Sequence, residues 1–172
     1  MTAAKPDAVE QRLADLGHEL PPPMSPLTRY RWATKDGDRL YLAGHGPFLE
    51  GRPTHVGKVG IDLTVEDAYG VNRFVALTIL RTLKEELGTL ERVERPLMQT
   101  NYVNVGPGLG EEYVKVGNGS TDLWVQLWGE EIGLCARMTV GVSELPWSVP
   151  TAIVSTWKVK SEPVAEVGDD HG

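Results

Sequence analysis

The residue best suited to chemistry in this chain is Arg137, which lies in the segment CARMTVGVSELP at positions 135–146. The segment alternates as a β-strand does, and the apolar Val140 and Val142 follow the arginine. A guanidinium in such a strand is costly to desolvate unless an anion meets it. Its planar fork of donors suits a carboxylate. Arg137 is therefore a candidate anion anchor, but it could also reach water from an edge strand or pair with an acidic side chain.

The composition is that of one globular domain. The chain has 172 residues, of which 41% are hydrophobic and 24% charged, so it can bury a sizeable core. Its one cysteine, Cys135, excludes an internal disulfide, which fits a reducing cytoplasm. No apolar run approaches membrane-spanning length, and the first residues lack the pattern of a signal peptide. We expect a cytoplasmic protein that does not enter a membrane.

Several partner classes are disfavoured by charge and spacing. The net charge is −7, with 17 basic residues scattered among 24 acidic ones, so we expect no nucleic-acid partner. The four histidines lack metal-ligand spacing, and a single cysteine cannot complete a zinc site. The glycine-rich segment at 106–110 lacks both the dinucleotide-binding spacing and the lysine of a phosphate loop. No metal and no cofactor are predicted.

The hydrophobic patterning divides the chain into three parts. Residues 1–24 form an extension, with an amphipathic helix over 8–17 followed by the prolines at 21–23. Residues 25–159 form the main domain. Residues 160–172 are polar and acidic, and we expect them to be disordered.

Within the main domain the pattern predicts the order β-β-α-β-α-β-β. Two β-prone runs around Asp36-Gly37 indicate a hairpin, and the segment 50–60 is predicted to be a loop. Thr64 is a predicted N-cap for a long amphipathic helix that ends at Gly88. A strand over 97–105, a helix from about Asn118 to Gly129, and strands over 136–142 and 152–158 complete an α+β plan. In this plan the helices pack on one face of a mixed sheet.

Three ordered stretches resemble one known family. They are the segment LYLAGHGP at 40–47, the segment GKVG at 57–60 with the long helix after it, and the run from 136 to 146. Together they resemble the reactive-intermediate deaminase family (Rid, or YjgF-like), some of whose members are labelled endoribonucleases. The resemblance implies a chorismate-mutase-like fold and a homotrimer with ligand sites in clefts between subunits. It also implies hydrolysis of reactive enamines and imines derived from amino acids.

The resemblance transfers to particular residues. Arg137 falls on the family's carboxylate-binding arginine, which favours the anion-anchor interpretation. Tyr30 has the spacing of the family's site tyrosine, and Gly44 matches the glycine of a Ser-Gly-Gln turn, where a ligand approaches the backbone. Asn118 aligns with an asparagine that borders the cleft, although it could equally be a helix cap.

The chain also departs from the family pattern. Ala152 stands where the deaminases carry the glutamate that positions the hydrolytic water. Thr139 replaces a cysteine, Ala43 replaces the turn serine, and His45 replaces the usual glutamine. Because imine hydrolysis needs a group that orients water and moves protons, we consider His45 and Thr139 as catalytic substitutes. His45 titrates near neutrality in its ordinary state.

Three functions follow as hypotheses. The first is hydrolysis of a small enamine or imine that carries a carboxylate, giving a keto acid and ammonia. The second is a non-catalytic trimer that binds small carboxylates, which the absence of the glutamate favours. The third, ribonuclease activity, follows only from a family label, and the negative charge disfavours it.

Overall fold

The computed structural model describes residues 6–161. It begins with helix α1 (Ala8–Asp15), where Asp7 is the N-cap of a capping box completed by Glu10. Asp7 also accepts hydrogen bonds of 2.6 Å from the Thr89 hydroxyl and from the backbone N–H of Leu90. Glu10 pairs with Lys84. These polar contacts hold the extension against the main domain, whereas the predicted disordered tail lies outside the described residues from 162 on.

The main sheet has five strands. They are β1 (Ala33–Asp36), β2 (Arg39–His45), β5 (Val93–Asn104), β6 (Ala136–Val142) and β7 (Thr151–Val159). Their order across the sheet is β1-β2-β7-β5-β6, and β6 pairs parallel to β5 while the other neighbours are antiparallel. The hairpin predicted at Asp36-Gly37 is present, with Gly37 at a φ of 58°. The predicted mixed sheet is confirmed.

A small extra hairpin begins just before the segment predicted as a loop and extends into it. Strand β3 (Phe48–Leu49) pairs with β4 (Arg52–Pro53), and Glu50 and Gly51 form the turn between them with positive φ. The sequence prediction missed it because each strand has only two residues and shows no alternation. The rest of 50–60 is irregular apart from single bridges made by Val59.

Two long helices cover one face of the sheet. Helix α2 (Val65–Leu87) begins at a capping box made by Thr64 and Asp67 and ends at Gly88, which adopts the left-handed conformation. Helix α3 (Asn118–Trp128) is followed by the short α4 (Glu130–Gly133). The predicted α+β architecture, with both main helices on one face, is thus confirmed.

The core lies between these helices and the sheet. Trp124 of α3 and Trp157 of β7 are fully buried and meet edge to face, with ring centroids 5.0 Å apart. Among residues 6–161 no helix covers the opposite face of the sheet, which exposes large apolar side chains. These are Tyr41, Met98, Met138 and Val154, each 40–50% exposed.

Candidate functional site

Arg137 lies on the edge strand β6, on the side of the sheet that faces the helices. Its register partner on β5 is Gln99, which is buried on that side. Nη1 of Arg137 donates to Oδ1 of Asn118 at 2.8 Å and to Oγ1 of Thr121 at 2.9 Å. Both acceptors are neutral, so the positive charge is oriented by α3 without being neutralised there.

The remaining donors of Arg137 are available. Within residues 6–161, Nε and Nη2 have no hydrogen-bond partner, and neither atom is enclosed by protein. Two N–H groups on one edge of a guanidinium are the arrangement that a carboxylate accepts in a bidentate pair. This geometry suits anion binding at the β6 edge.

Asn118 is held beside Arg137 by the start of α3. The N-cap position is occupied by Gly117 and no side chain caps this end, so Asn118 does not act as the cap. Its side chain binds Arg137 instead. A Cβ at position 117 would come within 2.7 Å of the Thr139 hydroxyl, which explains the glycine there. The cap interpretation of Asn118 was therefore wrong.

Thr139 lies two residues after Arg137, on the same side of β6. Its Oγ1 is buried and has no hydrogen-bond partner among the described residues. A buried hydroxyl without a partner is uncommon because desolvation costs about 1–3 kcal/mol. Thr139 and Arg137 thus form one group with Asn118 on the helix side of the sheet edge.

A buried polar network beneath this group was not predicted from the sequence. Gln99 donates to Asn101 at 2.9 Å and to Ser120 at 2.6 Å, and it accepts a bond of 2.8 Å from Trp124 Nε1. Asn72 of α2 donates to Asn101 and accepts from the backbone N–H of Ser120. The sequence did contain one signal for this network. Gln99 and Asn101 are amide side chains at alternate positions of a predicted strand, and both face the core. The network joins α2, β5 and the start of α3, and so positions Asn118.

The structure places His45 away from Arg137. A bulge in β2 between Leu42 and His45 turns the imidazole towards α2, where it is 2% exposed. Strands β7 and β5 separate β2 from β6, a span of about 14 Å at the usual strand spacing. Nδ1 lies 2.8 Å from the Ala43 carbonyl oxygen and Nε2 lies 2.8 Å from the Thr82 hydroxyl. Strand alternation alone does not reveal this bulge, which depends on the pairing of β2 with β7.

The environment of His45 keeps the imidazole neutral. Burial lowers its pKa to about 4, and the bond to Ala43 opposes this only in part. The ring also packs on Trp32, with centroids 4.5 Å apart. An enclosed, neutral imidazole whose two nitrogens both have partners is typical of a structural histidine.

The other predicted site residues line two adjoining cavities on the open face of the sheet. Tyr30 and Gly44 line one cavity, of about 520 Å³, and Gly44 and Ala152 line the second, of about 370 Å³. Ala152 alternates with buried neighbours, so it faces away from the helices. Burial raises the pKa of Tyr30 above its ordinary value, which favours the neutral phenol further. Within one chain, the residues around Arg137 therefore lie on the helix side of the sheet, whereas Tyr30, Gly44 and Ala152 lie on its open face.

Trp147 lines both of these cavities and was not predicted as a site residue. Both Trp147 and Ser148 have positive φ, 56° and 54°, which costs about 1–3 kcal/mol for each such residue. The turn is held by a bond from Ser148 N to the Leu145 oxygen and by another from Gly57 N to the Ser148 oxygen. The indole is 53% exposed and meets Phe48 edge to face at 5.3 Å.

Residues 6–161 contain neither a metal-binding group of side chains nor a membrane-spanning helix. No group of three or more histidine, cysteine or acidic side chains there could hold a metal ion. No helix in that part of the chain is long and apolar enough to cross a membrane.

Comparisons with known proteins assign the family. Residues 10–153 match the family model described as "YjgF/chorismate_mutase-like, putative endoribonuclease". Protein TCP17 from Trypanosoma cruzi is 31% identical over 153 residues, which are 89% of this chain and 95% of that protein.

Solved structures agree with this assignment. A protein from Shewanella oneidensis, described as a "putative endoribonuclease", has a TM-score of 0.83 at 27% identity. The match covers 89% of this chain and all of that one. A protein of unknown function from Agrobacterium tumefaciens has a TM-score of 0.79 at 29% identity, over 88% of this chain and 94% of its own. Because the family model matches residues 10–153 and these structures share the fold, the chain belongs to the YjgF (Rid) family of chorismate-mutase-like fold.

Proposed function

We propose that this protein binds small carboxylate-bearing metabolites between the subunits of a homotrimer, with Arg137 as the anchor. One observation carries the proposal. The Arg137 guanidinium is oriented by two neutral acceptors and keeps Nε and Nη2 without partners within the described chain. A ligand carboxylate supplies both the charge and the acceptors that this group lacks.

The position of the two residue groups supports a site between subunits. Arg137 and Asn118 lie on the helix side of the sheet edge, whereas Gly44 and Ala152 lie on the open face. A ligand that touches both groups must lie between two copies of the chain. The exposed apolar residues of the open face fit an assembly that covers them.

Hydrolysis of an enamine or imine is the second candidate function. Water would add to the imine carbon, and ammonia would leave to give the keto acid. The partnerless hydroxyl of Thr139 lies on the same side of β6 as Arg137, which favours this candidate, but its oxygen is buried and does not reach solvent in the free chain. A threonine cannot act as a base near neutral pH, however, and His45 is enclosed on the far strands. Ala152 adds no proton-transfer group, so ligand binding without catalysis is the better supported function.

The binding proposal is tested by calorimetric titration with 2-oxobutanoate. Charge-assisted hydrogen bonds contribute about 1.5–3 kcal/mol, so Arg137→Ala is expected to weaken binding about 10- to 100-fold. Arg95→Ala is the matched control, because Arg95 lies on the adjacent strand and donates to a backbone oxygen of Glu131. Equal affinity in wild type and Arg137→Ala would contradict the proposal.

Catalysis is tested separately with 2-aminoacrylate generated enzymatically. The binding proposal predicts no faster loss of the intermediate with wild type than without protein. Turnover that disappears in both Arg137→Ala and Thr139→Val would instead support the hydrolase. Ala152→Glu restores the family's carboxylate, and a gain of activity in that variant alone would show that the missing group limits catalysis.

A further inference from the structure

The cavity around Ala152 is apolar and has the size of a ligand site. Its volume of about 370 Å³ lies within the usual range for small-molecule pockets, about 300–1,000 Å³. No charged residue lines it; the aromatic walls come from Phe48, Tyr102 and Trp147. Alanine at 152 leaves open the space that a longer side chain would occupy.

The walls of this cavity are held in place. Gly46 is required for the ring of Phe48, since a Cβ there would come within 2.7 Å of that ring. Trp147 is presented by a turn with two successive left-handed residues, and this turn is tied to Gly57 by a 2.7 Å bond. A strained turn that leaves a large indole half exposed is a frequent feature of binding sites.

The adjoining cavity, which Tyr30 and Gly44 line, is also mainly apolar but adds polar and charged residues to its lining. It shares Gly44, Pro146 and Trp147 with the cavity around Ala152. Tyr30 and Arg31 line it as well. Arg31 brings a positive charge to this region, which favours the binding of an acid. The two cavities together therefore present an apolar compartment beside one that also carries hydroxyl groups and one positive charge.

We infer that the compartment between Trp147 and Ala152 receives the side chain of the bound acid. The ligand class is thus a 2-oxo or 2-imino acid with an aromatic or branched aliphatic side chain, and short acids bind more weakly. This inference rests on the proposed function, in which Arg137 of a neighbouring copy anchors the carboxylate. Ala152, the departure from the family pattern, then acts as a specificity residue.

The test compares the affinities of pyruvate and 4-methyl-2-oxopentanoate by calorimetry. Each buried methylene adds about 0.8 kcal/mol, so the larger acid is expected to bind wild type at least about tenfold more tightly. Ala152→Leu fills the compartment and is expected to remove this preference while pyruvate still binds. The control Ile61→Ala changes an exposed apolar residue outside both cavities and should keep the wild-type preference.

Tryptophan fluorescence gives a second measurement. Saturating 4-methyl-2-oxopentanoate should shift the emission of wild type to shorter wavelength, and the shift should be absent in Trp147→Phe. Unchanged emission, with Trp147 already shielded in the free protein, would show that a second copy of the chain fills the compartment, and would overturn the inference.

The outcomes separate the two proposals. If both acids bind with equal affinity and both require Arg137, the side-chain compartment is refuted and the proposed function stands. If neither acid binds in a manner that depends on Arg137, the proposed function fails, and the inference fails with it.

Discussion

Replacing His45 by glutamine should remove a defined part of the pH dependence of stability. The unfolded imidazole binds a proton as the pH falls through about 6.5, whereas the buried one stays neutral until its pKa of about 4. The unfolded state therefore takes up more protons between these two values. Stability must fall as the pH is lowered through this window.

The size of the effect follows from the same two values. The linkage relation gives a loss of about 2 kcal/mol in the free energy of unfolding between pH 7 and pH 5. Because His45 is 2% exposed, solvent screening does not reduce this figure appreciably. Other groups titrate in both proteins, so the difference between wild type and His45→Gln isolates the contribution of His45.

The assay is urea unfolding of both proteins at the two pH values and one fixed protein concentration. Thr82→Val is the matched control, since it removes the hydroxyl partner of Nε2 but keeps the histidine. That variant should be less stable at pH 7 by about 1–3 kcal/mol, yet keep the wild-type pH dependence. If wild type and His45→Gln lose the same free energy on acidification, burial does not hold this imidazole neutral and the reasoning is wrong.

Three further substitutions test the packing around the site. Thr139→Val removes a buried hydroxyl without a partner, so thermal unfolding should show equal or greater stability, by up to about 1 kcal/mol; a marked loss would reveal a partner for that hydroxyl. Gly119→Ala should lower the free energy of unfolding by about 2 kcal/mol or more in urea, because its methyl group would collide with the backbone oxygen of Tyr69. Wild-type stability in this variant would mean that α2 and α3 can move apart at no cost. Asp7→Ala removes the α1 cap and the bond to Thr89, and urea unfolding should show a loss of about 1–2 kcal/mol; no change would show that α1 does not contribute to the stability of the domain.

Of the site residues, Arg137 could be predicted from the sequence, whereas its hydrogen bonds and Trp147 could not. Arg137 was identified because one charged residue interrupts an apolar alternation, a signal contained in the strand itself. Its partners Asn118 and Thr121 come from a helix that the strand does not determine, so only the folded chain shows that both are neutral. Trp147 gave no sequence signal, because nothing in Leu145-Pro-Trp-Ser148 requires two left-handed residues.

Local signals determined the elements of this protein. Helix α2 begins after Thr64 and ends before Gly88 because a capping box and a left-handed glycine are properties of a few consecutive residues. Strand β6 was predicted with its observed bounds because the alternation of side chains along a strand is also a property of consecutive residues. The tertiary structure decided which face each site residue occupies. The bulge before His45 and the pairing of β5 with both β6 and β7 join residues far apart in the chain, and a shift of one residue in either would reverse the faces.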